Sequence, residues 1–254
     1  MRIFKPLFFL IVYTIGINMF FLPVYGHANP TVYNPKPNQT FDINGQAVPD
    51  KITITFSERP EIKASNIKVT DSKNTRVDNN DLKALSNDER TLSVSLVKSK
   101  IIPGIYTVNW IVLSKDDGHI TKGSYVFSVE ENNKQNEYQQ QTTNALPKYL
   151  KNFTSENIVM KFGISPFQAG QNTFNLTALY NNGTSVKNIN NVYLEFNNPT
   201  KNVGPIVDVM NKTSTGNYSS TGNFLSQTGD WEIKIIVQRT GQYDINQKLD
   251  VNIK

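Results

Sequence analysis

Gly104–Val129 reads GIYTVNWIVLSKDDGHITKGSYVFSV. Its first part alternates: Tyr106, Val108, Trp110 and Val112 fall on one face, with Thr107, Asn109 and Ile111 on the other. After a polar stretch, Ser114–Gly123, the alternation resumes with Tyr125, Phe127 and Val129. A period of two marks half-buried antiparallel strands, because successive side chains point to opposite faces of a sheet. The polar stretch between them holds His119, one of only two histidines in the chain.

Outward from this pair the same period continues. KITITFS sets Ile52, Ile54 and Phe56 together, NIKVTD sets Ile67 and Val69, and TLSVSLV sets Leu92, Val94 and Leu96. Pro and Gly clusters such as NPKPNQ and IIPG separate these runs. From Glu130 to about Leu150 the pattern breaks into a Gln- and Asn-rich stretch, read as a linker with one helical turn near its end. Seven further short strand patterns follow, from NIVMKFGIS to INQKLDVNI, with turn signals such as Asn181–Gly183. No βαβ alternation occurs. The expected fold is all-β: a cupredoxin-like or immunoglobulin-like β-sandwich, then a second immunoglobulin-like β-sandwich. The expected divisions are a leader at 1–26, a first domain at 27–130, a linker at 131–150 and a second domain at 151–254.

The chain has 254 residues, no cysteine, and 26 basic against 21 acidic residues. The basic residues are scattered, which argues against nucleic acid as a partner. The first thirty residues, MRIFKPLFFLIVYTIGINMFFLPVYGHANP, place two cations before a long apolar run and then small residues. That is an export pattern, read either as a cleaved signal peptide or as a retained amino-terminal anchor. Six Asn-x-Ser/Thr sequons fit an exported chain without establishing modification. Without cysteine there is no thiolate metal site and no cysteine nucleophile.

The other histidine, His27, lies just past the apolar run. A cut after Gly26 makes His27 the first residue, so its amine and ring Nδ1 can chelate one metal. A cut after Ala28 leaves Asn29 first and removes that site. Asp117 and His119, two apart, project to one side if the chain is extended there. Together these donors form a three-nitrogen, one-oxygen set that suits tetragonal Cu(II), one ion per chain. Only Met160 and Met210 remain beyond the leader, so no methionine cluster offers a Cu(I) site.

On these residues the chain resembles the CopC family of exported copper-binding proteins. The resemblance runs from His27 to about Glu130. It rests on the leading histidine, Pro35 and Pro37, the ITITFSE strand, and the Gly-x-Tyr-x-Val-x-Trp strand followed by Ser, Asp-x-His, Gly and Phe-x-Val. It implies a cupredoxin-like fold with Cu(II) held by His27, Asp117 and His119. It also implies Glu58 as a weak ligand or as an acceptor for the terminal amine. Asp116 stays open as an alternative to Asp117, because Ser114 lies one residue further from Asp117 than in some members. The second half is similar to YtkA-like β-sandwiches, through ISPFQAGQNTFNLTALYNNGTSV and GNYSSTGNFLSQTGDWEIKIIVQR, and carries no histidine or cysteine. The implied function is extracytoplasmic copper sequestration, resistance or delivery to a membrane copper-transport protein, without enzymatic activity. The competing readings are a histidine-brace copper oxidoreductase and a metal-free structural or adhesion protein. Asp117 argues against the first, since a carboxylate in the copper plane stabilises Cu(II) and occupies a position that oxygen chemistry needs.

Overall fold

The computed structural model describes residues 27–44, 48–131 and 149–254. The expected leader at 1–26 and most of the expected linker lie outside them. Among the described residues no helix is long and apolar enough to cross a membrane. The linker's last two residues are not helical: Tyr149 and Leu150 open a strand. They pair with Ile164 and Gly163, and ladder hydrogen bonds outweigh the weak local preference for a turn.

The first domain is a sandwich of two sheets. One sheet holds β1 (Pro30–Asn34), β3 (Lys51–Phe56), β6 (Asp88–Ser95) and β5 (Lys83–Leu85), in the order β1-β3-β6-β5. The facing sheet holds β4 (Asn66–Asp71), β7 (Gly104–Leu113) and β8 (Ile120–Glu130), with β2 (Gln39–Asp42) pairing in parallel to β8. The alternating residues singled out above form the core: Ile52, Ile54, Phe56, Ile67, Val69, Leu92, Val94, Tyr106, Val108 and Phe127 are all essentially inaccessible. Burial of this apolar area is the main favourable term in folding.

β7 and β8 form a continuous antiparallel hairpin, from Gly104 opposite Val129 to Leu113 opposite Ile120. Gly123 sits opposite Trp110, and its bare backbone lets the indole lie against it. A Cβ at Gly123 would meet Cζ2 of Trp110 at 2.6 Å, inside any normal contact. Gly123→Val is therefore expected to overpack the hairpin and lower stability by about 1–3 kcal/mol, read as a lower urea midpoint. An unchanged midpoint would refute the close approach.

The second domain is also a sandwich. β9 (Tyr149–Ser155), β10 (Ile158–Ser165), β11 (Gly170–Tyr180), β15 (Asn217–Leu225) and β14 (Asn211–Ser214) make one sheet, ordered β14-β15-β11-β10-β9. β17 (Ile245–Ile253), β16 (Gly229–Arg239), β12 (Ile189–Asn198) and β13 (Val203–Val209) make the other. Phe162, Phe174, Phe196, Ile233, Ile235 and Trp231 fill the space between them.

The domains are joined by more than the linker. β13 pairs in parallel with β8 at Ile206 and Ser124, which makes one eight-stranded sheet across both domains. Val126 of β8 is buried in the core of the second domain, not the first. Thr107 Oγ1 and Ser226 Oγ share a hydrogen bond of 3.0 Å, and Gln227 donates to the carbonyl of Asp71. Asn38 donates to the Thr221 carbonyl and accepts from the Asn223 backbone N–H. The expected linker at 131–150 is the only connection between the domains that the sequence shows. The structure couples them through a packed, hydrogen-bonded face.

Candidate metal centre

The loop between β7 and β8 carries Asp116, Asp117 and His119, and a second segment brings His27 to it from across the chain. His27–Asn29 is clamped against the first domain. Ala28 is fully buried, and its carbonyl accepts from Thr121 Oγ1 at 2.7 Å. The His27 carbonyl accepts from Ser57 Oγ at 2.9 Å, and Ser57 Oγ in turn accepts from the Asn29 N–H at 3.0 Å. A backbone held at three successive residues fixes the point from which the His27 ring projects.

The β7–β8 loop is tied from the other side. Ser114 bridges to Pro60, the Lys115 N–H donates to the Arg59 carbonyl, and the Glu61 N–H donates to the Leu113 carbonyl. Inside the loop, Ser114 Oγ donates to Glu58 at 2.5 Å and accepts from the backbone N–H groups of Asp116 and Asp117. Glu58 therefore holds the loop through buried Ser114. Gly118 takes φ +75°, a left-handed value that glycine adopts without steric cost.

Asp117 and His119 come together, but not because the chain is extended there, as the spacing argument supposed. Residues 115–117 form a turn. The Asp117 carboxylate accepts the His119 backbone N–H at 2.9 Å, an Asx-type turn that folds the two side chains to one side. Asp117 Oδ2 then lies 3.1 Å from Nδ1 of His27 and 3.1 Å from Nδ1 of His119. The two imidazole centroids are 4.4 Å apart. His27, Asp117 and His119 each offer a ligand atom within 4.8 Å of the others. Glu58 is not part of that cluster. Asp117 is held well below the usual carboxylate range, chiefly by the His119 backbone N–H and also by the hydrogen bond from His27.

Asp116 faces elsewhere. Arg59 donates to it from Nε at 3.0 Å, from its terminal nitrogen at 2.6 Å and from its backbone N–H at 2.9 Å. These bonds lower its pKa and occupy both oxygens. Of the two aspartates, Asp117 meets the histidines and Asp116 anchors Arg59. The choice lies with Arg59, whose role no spacing within the loop reveals.

The site is open. The side chains of His27 and His119 are 48% and 63% exposed, so an ion could enter and leave without a conformational gate. The donors also fit a metal. Metal–nitrogen bonds of about 2.0 Å set adjacent donors on a tetragonal ion roughly 2.8 Å apart. The observed 3.1 Å separations are close to that. The set has imidazole nitrogen and carboxylate oxygen and no sulfur, the chemistry of a borderline divalent ion.

The CopC domain family matches residues 34–130, the segment that carries β2 to β8. Protein YobA of Escherichia coli K12 is 40% identical over 107 residues, which cover 42% of this chain and 82% of YobA. The chain belongs to the CopC family. Two CopC-type structures are similar to it. CopC from Methylosinus trichosporium OB3b is 26% identical, with a TM-score of 0.36 over 42% of this chain and 96% of that one. PcoC from Escherichia coli, described as a methionine-rich copper resistance protein, is 25% identical, with a TM-score of 0.33 over 41% and 99%. In CopC terms Asp117, His119 and Glu58 lie within the matched segment, and His27 lies just ahead of it.

Proposed function

We propose that this CopC-family chain is exported, begins at His27 once its leader is removed, and holds one Cu(II) ion for copper resistance or homeostasis. His27 supplies its amine and a ring nitrogen, Asp117 a carboxylate oxygen and His119 a ring nitrogen. Bound there, Cu(II) would supply no reaction of its own; it is cargo to be held or passed on. The observation that carries this reading is the meeting of His27, Asp117 and His119 at one point from segments ninety residues apart.

Two features of the backbone support a start at His27. His27 has φ +101°, a value that L-residues other than glycine rarely adopt, and a first residue has no φ to strain. A start at Asn29 would remove buried Ala28 and the hydrogen bonds to the carbonyls of His27 and Ala28. The anionic Asp117 between two imidazoles favours the divalent ion over the reduced one, which supports binding over oxygen activation.

The test is the intact mass of the exported protein, followed by copper loading. His27 first and one Cu(II) per chain, with a tetragonal electron paramagnetic resonance spectrum and weak colour, are expected. An intense blue band would require a thiolate that the chain lacks, and it would overturn the assignment together with the ligand set. A mature terminus at Asn29, or a retained leader, would remove the amine ligand and the proposal with it. Delivery to a membrane copper-transport protein is part of the same reading and rests on the open site.

A further inference from the structure

The outer face of β4, β7 and β8, the face turned away from the core of the first domain, meets the second domain over part of its length. Register places Thr70, Thr107 and Val126 in the covered region, where Val126 is buried and Thr107 reaches Ser226. Further toward the metal loop, two cross-strand rows follow. One runs Lys68, Asn109, Ser124 and the other Asn66, Ile111, Lys122. There the domains part and leave a cleft of about 250 Å³, walled on the far side by Lys201, Asn202 and Gly204.

The lining is one-sided in charge. Lys68, Lys122 and Lys201 all line the cleft, and no acidic residue does. Among the described residues none of the three ammonium groups has a carboxylate partner, whereas Lys98, Lys115 and Lys248 each do. Lys68 and Lys201 are only half-exposed, so water screens them incompletely. Three cations brought together from β4, β8 and the turn after β12 repel one another unless an anion joins them.

A hydrogen-bond chain across the domain boundary prepares a donor at the same place. The Gly204 N–H donates to Ser124 Oγ at 2.9 Å, and Ser124 Oγ donates to Asn109 Oδ1 at 2.6 Å. That chain uses the acceptor end of the Asn109 amide and leaves its NH2 group as a donor lining the cleft. Asn66, Asn74 and Asn202 add further amides. The volume is that of several waters, at about 30 Å³ each, and so exceeds a halide and falls short of a drug-sized ligand.

We propose that this interdomain cleft binds a small phosphate-class oxyanion, with Lys68, Lys122 and Lys201 as its charge partners and the Asn109 amide as a hydrogen-bond donor. Cations from three separate elements match an anion whose oxygens point several ways, and lysine serves phosphate as a point charge. The site draws one wall from each domain, which gives the second domain a part in ligand binding that the metal cluster does not ask of it. The metal ligands take no part.

The test uses the full mature chain, kept metal-free with a chelator. Inorganic phosphate and pyrophosphate are titrated at constant low ionic strength by calorimetry, alongside tryptophan fluorescence, because Trp110 lines the cleft. One saturable site is expected. Lys68→Gln with Lys201→Gln should weaken it at least tenfold, Asn109→Asp should weaken it similarly, and Lys98→Gln should leave it unchanged. Vesicles of phosphatidylglycerol form a second arm. Binding there but not to the free anions, lost in the same double variant, would assign the same phosphate chemistry to a lipid headgroup. No saturable binding in either arm, or a double variant that binds like the parent, would overturn the proposal. Circular dichroism of the variants separates lost binding from lost fold.

Discussion

His119→Ala and His27→Ala are each expected to weaken Cu(II) binding at least a hundredfold, about 2.7 kcal/mol, with the fold intact. Each removes one imidazole from a set in which all donors meet at a single point. In the proposed chain that begins at His27, the His27 variant keeps its amine but loses the chelate ring that the amine would share with Nδ1. Neither side chain lies in a core, as both are about half-exposed or more, so packing does not depend on them. Asp117→Asn is expected to weaken copper binding as well, while sparing the loop. An amide oxygen can still accept the His119 N–H, yet it lacks the charge that balances a divalent ion. Competition titration against a chelator of known affinity reads all three. Parent-like affinity in either histidine variant would remove that residue from the ligand set. By contrast, Asp116→Asn should leave copper affinity within about threefold, roughly 0.7 kcal/mol, because Asp116 is engaged by Arg59 and not by the histidines.

The strands could be read from the sequence because burial on one face writes a period of two into it. The cores of both sandwiches follow that pattern almost residue by residue, from Ile52 and Ile54 to Ile233 and Ile235. Pairing of the two histidines was open to sequence reading only through chemistry and family resemblance, since nothing local links residue 27 to residue 119. The physical link is Ala28, a small buried residue whose carbonyl is held by Thr121 on β8. Short strands next to prolines leave too little alternation to read: β1 begins at Pro30, and β2 has only four residues. The choice between Asp116 and Asp117 turned on a long-range partner, Arg59, that spacing inside the loop cannot show. Both faces of β8 are buried, from Gly123 to Val129. Alternation there reads as one core face and one solvent face, because Ser124 and Ser128 flank Val126. A face covered by a second domain can carry the same residues as a face covered by water when its polar groups find partners, as Ser124 does with Asn109 and Gly204.

Val126→Asp tests what that second face does. Val126 is 1% exposed and belongs to the core of the second domain, although the strand that carries it belongs to the first. A carboxylate there would have no cation partner among the core residues around it. An uncompensated buried charge costs roughly 3–5 kcal/mol. The domains can escape that cost by separating, which sacrifices the Ser124–Gly204, Thr107–Ser226 and Asn38–Asn223 hydrogen bonds along the seam. The variant is therefore expected to show a denaturant midpoint well below that of the parent. Copper affinity should change by less than threefold. Val126 lies six residues along β8 from Ile120, roughly 20 Å at the rise of a strand, and every donor in the metal cluster is held by first-domain groups. The anion cleft, walled by both domains, should lose its affinity in the same variant. Loss of copper binding with loss of docking would mean that the second domain shapes the metal loop through β8. Retention of anion binding after the domains part would mean that Lys201 and its neighbours are not a wall of that site.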